Sequence, residues 1–121
     1  MNIGDTFVWC PSRVGVEHLW ILISDPAQHG GKCVLINLTE SLHAPHSFII
    51  RPGQHRYVYK DSDVNFGDAM PTTEAELERK INIGDAKPHD AMDGAILKEI
   101  IKAAYTHCAF PPHLRKYLPK V

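Results

Sequence analysis

Apolar residues fall in short, dense runs over the first half of the chain and at helical spacing over the second. Residues 6–10 (TFVWC) are β-rich and stop at Pro11, which has no N–H to extend a ladder. Residues 18–24 (HLWILIS) and 32–39 (KCVLINLT) are nearly continuous in apolar character, as central strands covered on both faces would be. Asp25-Pro26 and Gly30-Gly31 punctuate the turn between them. Residues 48–50 and 57–60 flank Arg51-Pro52-Gly53, which reads as a tight turn joining two paired strands. Alternation in Tyr57-Val58-Tyr59 then puts both tyrosines on one face of their strand. Residues 64–66 add a further strand.

After Met70 the period changes. Thr73-Glu74-Ala75-Glu76 fits a capping box, in which hydroxyl and carboxylate each satisfy an orphan N–H, and predicts a helix over 74–82 that stops at Gly84. A second helix is predicted from near Asp90 to about His107. Its apolar stripe is Met92, Ile96, Ile100 and Ala104, with Leu97, Ile101 and Cys108, a pattern that packs on a sheet more readily than it binds a cofactor. Pro111-Pro112 ends the regular structure and leaves a basic tail with Arg115, Lys116 and Lys120. Five or six short, bent strands followed by two helices predict an α+β fold, a small half-open β-barrel with helices over one opening. No repeat or linker divides the 121 residues, so a single domain over 1–121 is expected.

Charge narrows the chemistry. With neutral histidines the net charge is −1, so contact with an anionic partner has to be local. Residues 41–60 offer the place: they hold no Asp or Glu, but carry Arg51, Arg56, Lys60, His43, His46 and His55. Imidazoles beside fixed positive charge suit binding a phosphate and trading protons with its ester. Arg51 and Arg56 bracket His55 across the predicted turn, and a metal-independent ribonuclease needs such parts: a base for the 2′-hydroxyl, an acid for the leaving oxygen, and cations for the developing charge. The plainer reading is a solvated hairpin tip with His55 bonded to backbone. His43-Ala44-Pro45-His46 and His55 together offer three imidazoles, the ligand number of an open zinc site. A histidine pair across a proline has no fixed geometry, however, and the expectation is no metal and no other cofactor.

Thr39, Ser41 and Ser62 are hydroxyls near strand ends, where turn or cap roles are commoner than chemistry. Trp9 and Trp20 read as core, whereas Tyr57 and Tyr59 could stack on bases. No Gly-rich phosphate loop, Gly-x-Ser-x-Gly elbow or His-Glu-x-x-His is present, which argues against an NTPase, a serine hydrolase and a zincin. Cys10, Cys33 and Cys108 are dispersed and read as reduced thiols of a cytosolic protein. Asp5 and Arg13 interrupt any leader-like run, and no apolar run reaches the roughly 18 residues of a membrane span. A cytoplasmic protein without membrane contact is expected.

The order of parts resembles a known family. Gly4-Asp5 precedes the first strand; HLWILIS, VLINLT, Ser62-x-Val64, Leu77 in a short helix, Gly84 and a final amphipathic helix follow. This resembles the MazF/PemK family of toxin endoribonucleases, and the PGQHRYV stretch resembles a divergent branch with a Gly-x-His-x-Phe/Tyr segment. The resemblance implies an SH3-like barrel, a homodimer, RNA as substrate and an antitoxin protein as partner. Thr39 falls at the family's hydroxyl position after the third strand. Family members often carry Arg-Pro where this chain has His18-Leu19, and an arginine where Met70 stands. The expectation is an RNA-binding protein, a metal-independent endoribonuclease with His55, Arg56 and Thr39 catalytic. Arg51, Lys60, Ser62 and His46 would then bind substrate. The two missing arginines open the alternative of a non-catalytic protein-interaction module on the same fold.

Overall fold

The structure, a computed structural model, describes residues 1–12, 15–40 and 47–120. Six strands form one antiparallel sheet, curled into a half-barrel: β1 Thr6–Trp9, β2 His18–Leu22, β3 Lys32–Thr39, β4 Ile49–Ile50, β5 Ser62–Thr73 and β6 Lys87–His89. Their order across the sheet is β4-β5-β3-β2-β1-β6. Helix α1 (Glu74–Asn82) follows β5, and α2 (Gly94–Thr106) follows β6. Sequence and structure agree on an α+β protein with a barrel-like sheet and two helices in its second half. Among the described residues, no helix is long and apolar enough to cross a membrane.

The continuous apolar runs are explained by two cores. Leu19, Ile21 and Ile23 point into a core shared with Leu97, Ile100, Ile101 and Ala104 of α2. Trp20 and Leu22, between them in sequence, point the other way and join Phe7, Trp9, Leu35 and Leu77 of α1. Alternate side chains of a strand leave opposite faces, so a strand serving two cores must be apolar throughout. Leu77 is the one fully buried residue of α1, and Ile81, partly buried, packs beside it on the same core. The burial of Leu77 contributes about 1.5–3 kcal/mol to holding that helix on the sheet.

Strand β5 is the longest element and it is bent. Its register on β3 runs Asn37 to Asn65 and Leu35 to Met70, so residues 66–69 stand against Ile36 alone. Extra residues on one strand break the ladder locally and turn the chain. The first part of β5 therefore lies beside β4, while its far end leads into α1.

Several sequence-based expectations need correction. Residues 57–60 are not a strand, and 48–50 does not pair with them. Instead Ile49 and Ile50 pair with Asp63 and Ser62, and residues 51–61 leave the sheet through two consecutive turns. One turn is closed by the Gln54 N–H on the Arg51 carbonyl at 3.1 Å and the other by the Val58 N–H on the His55 carbonyl at 3.0 Å. The capping box is half formed: Thr73 Oγ1 accepts the Glu76 N–H at 3.1 Å, while the Glu76 carboxylate turns to Arg79 at 2.9 and 3.1 Å. Helix α2 starts at Gly94 because Asp93 Oδ2 accepts the N–H groups of Ala95 and Ile96, both at 3.1 Å. Cys108 lies exposed beyond it. Regular structure also continues past Pro111, as a 3-10 turn at Pro112–Tyr117. A proline at the first helical position loses no bond there, and Leu114 and Leu118 reach the core. Strand β6 was not expected at all, since Lys87-Pro88-His89 is short and contains a proline.

Candidate functional site

The loop at 51–61 closes over one end of the sheet and makes a cleft of about 420 Å³. Its floor is the start of β2 (His18), the end of β3 (Leu38, Thr39) and the start of β5 (Ser62); its wall is Tyr57, Val58 and Tyr59. Val16, Glu17 and Glu40 complete the lining. The β2–β3 register pairs Trp20 with Asn37, and beyond it the His18 ring reaches the end of β3 at the Leu38 carbonyl. Val58 is buried in the core and fixes the wall, whereas Tyr59 is 75% exposed and faces water. A second hollow of about 310 Å³, between β5 and the turn after α2, is lined by none of the candidate residues among those described.

His18 has the geometry of a proton carrier. Its Nδ1 lies 3.0 Å from the Leu38 carbonyl oxygen, which can only accept, so Nδ1 carries the hydrogen. Among the described residues, no hydrogen bond takes up Nε2. Glu40 lies near enough for the two charges to interact. The Tyr59 hydroxyl and the Lys60 ammonium, both bonded to Glu40, hold its carboxyl below the usual carboxylate range, and the charge of His18 adds to this. Lys60 Nζ stands 3.2 Å from Glu40 Oε2. The Glu40 hydrogen bond and charge push the Tyr59 phenol up in turn; burial does the same for Tyr57, with Glu17 and Glu40 adding to it. Ser62 is buried, and its hydroxyl donates to the Lys60 carbonyl at 3.0 Å.

Of the residues singled out from sequence, Thr39 and Ser62 line this cleft and Lys60 borders it through Glu40. His55 stands elsewhere. It is 6% exposed, and backbone groups take both of its nitrogens: Nδ1 accepts the Tyr57 N–H at 3.0 Å, and Nε2 donates to the Asp90 carbonyl at 2.6 Å. Arg51 and Arg56 do not converge on it. Arg51 Nη1 pairs with Asp61 at 3.1 Å, and Arg56 Nε with Asp90 at 3.3 Å. The stretch without acids in sequence is thus supplied with acids in space. His43, His46 and Ser41 lie outside the described residues; among those described, no group of three or more His, Cys, Asp or Glu is placed to hold a metal ion.

Sequence reasoning passed over His18 and Glu40. The signal for them was available: the two apolar runs form a hairpin, and its open end brings residue 18 to residues 38–40. Comparison of the chain with family models, with curated proteins and with solved structures finds no match in any of the three.

Proposed function

We propose that the cleft binds single-stranded RNA and cleaves it by proton transfer, on a divergent barrel of the SH3-like, MazF/PemK type. The observation that carries the reading is that His18 and Glu40, the latter paired with Lys60, line one cleft with hydroxyl-bearing side chains and two tyrosines. Glu40, ionised at neutral pH, takes the proton of the 2′-hydroxyl; O2′ bonds to phosphorus; the bond to O5′ breaks as His18 gives O5′ the proton from Nε2. The products are a 2′,3′-cyclic phosphate and a 5′-hydroxyl. As Glu40 is neutralised, Lys60 loses its ion-pair partner and turns to the phosphoryl oxygens. Tyr57 and Tyr59 supply stacking faces for bases, each such contact worth about 1–3 kcal/mol. His55, Arg51 and Arg56, first placed at the centre of the chemistry, support the wall instead in this reading.

The test is incubation of wild type and His18→Ala with a long RNA in excess EDTA, with the cut ends mapped. Cyclic phosphate ends from wild type, and a fall of about 10²–10⁴-fold in His18→Ala, are expected for loss of a general acid. No cleavage by correctly folded wild type rejects the reading.

One observation favours a second reading, a non-catalytic protein-interaction module. Arg51, Arg56 and Lys60 each face a carboxylate, which offsets the positive charge a phosphate backbone would seek. An interaction module binds no RNA at about 0.05 M salt, where phosphate contacts are strongest. It also leaves cell growth unaffected when overproduced.

A further inference from the structure

The wall of the cleft is fixed from behind by two imidazoles. His55 accepts the Tyr57 N–H at Nδ1 and donates from Nε2 to the Asp90 carbonyl. His89, the last residue of β6, accepts the Asp90 N–H at its own Nδ1, 2.8 Å away. The two rings lie 5.1 Å apart, and Tyr57 meets the His89 ring edge-on at 5.9 Å. Tyr57, which lines the cleft, is thus bonded through its N–H to one histidine and rests against the other.

In both rings Nδ1 is an acceptor, a role an imidazolium cannot play because each nitrogen then carries a hydrogen. The surroundings offer little to offset such a charge. The Asp90 carboxylate is paired with Arg56, and the Thr6 hydroxyl donates to the Asp90 carbonyl at 2.6 Å, 3.5 Å from His55 Nε2. Glu17 acts on Tyr57 through its charge. Two charged rings at this separation also repel each other.

We propose that His55 and His89 form a proton-operated latch. Neutral, they hold residues 51–60, and with them Tyr57 and Tyr59, in place as the wall of the cleft; protonated, they release it. The proposal rests on the cleft being the working site, and not on which ligand it takes.

Amide hydrogen exchange read by NMR tests it. Protection of the Tyr57 N–H, corrected for the intrinsic rate, should fall about tenfold or more between about pH 7.5 and about pH 5.5, while Ile36 in β3 keeps its protection. His55→Gln supplies an acceptor and a donor that do not titrate, and should keep Tyr57 protected at both values. Equal protection of Tyr57 at both pH values in wild type overturns the latch, as does an undiminished pH response in His55→Gln. Should that variant not fold, His89→Asn keeps an acceptor for the Asp90 N–H and removes the neighbouring charge. It should weaken the response, and an unchanged response overturns the proposal. RNA cleavage measured on the same samples separates the two ideas: a latch that responds in a protein that cuts no RNA rejects the cleavage reading alone.

Discussion

His18 and His55 sit in regions that treat an imidazole in opposite ways. At the mouth of the β2–β3 hairpin the backbone takes the Nδ1 hydrogen of His18, and among the described residues no hydrogen bond takes up the second nitrogen. Behind the cleft wall, backbone groups take both nitrogens of His55, one as donor and one as acceptor, so a change of charge state breaks a bond. Flanking arginines made His55 the better candidate in sequence. In the structure the two rings differ instead in the number and polarity of their backbone partners.

The contrast can be broken by substitution. The largest effect is expected at His18: His18→Ala should lower RNA cleavage by about 10²–10⁴-fold while the urea midpoint moves little, since its ring is anchored by a single bond. His55→Ala should do the reverse, costing about 2–4 kcal/mol of stability in urea unfolding, because it strands the part-buried Tyr57 N–H and empties buried space. Equal loss of stability in the two variants would erase the distinction. Lys60→Ala comes next, with about 1–3 kcal/mol lost in RNA affinity, measured by fluorescence anisotropy. Arg51→Ala and Arg56→Ala should change stability by less than about 1 kcal/mol each, as exposed ion pairs do.

The smallest effect concerns a thiol. Burial, with the Glu74 charge adding to it, pushes the Cys33 thiol up to about 11. Below that value the thiol stays protonated and unreactive. At about pH 8 a disulfide reagent should therefore label exposed Cys108 and leave Cys33 untouched until the protein is unfolded. Reactivity at Cys33 under native conditions would contradict its place in the α1 core.

What the sequence reveals is local in origin. Strands β2 and β3, helix α1 and the stripe of α2 follow from side-chain periodicity, which each segment carries within itself. In sequence, residues 48–60 read as a hairpin because Arg-Pro-Gly does form a turn there, but the path beyond it is set by His55 reaching Asp90, thirty-five residues away. Strand β6 exists only because β1 is there to pair with it, as Thr6 with His89 and Val8 with Lys87. The cleft is harder still to foresee, since β2, β3, β5 and the loop each bring one or more side chains to it. That Thr39 and Ser62 lie at strand ends is legible in sequence; that Glu40 meets Tyr59 and Lys60 is not, because those partners arrive from a loop.

Strand β6 carries one more consequence. It closes the sheet on one side, and a terminal strand is where a foreign strand can attach and where fibrous assemblies begin to grow. Pro88 offers such a strand no N–H, and the exposed Lys87 beside it would carry an unmatched charge into the junction. The same three-residue strand that places His89 behind the cleft therefore also discourages the sheet from continuing into a neighbouring molecule.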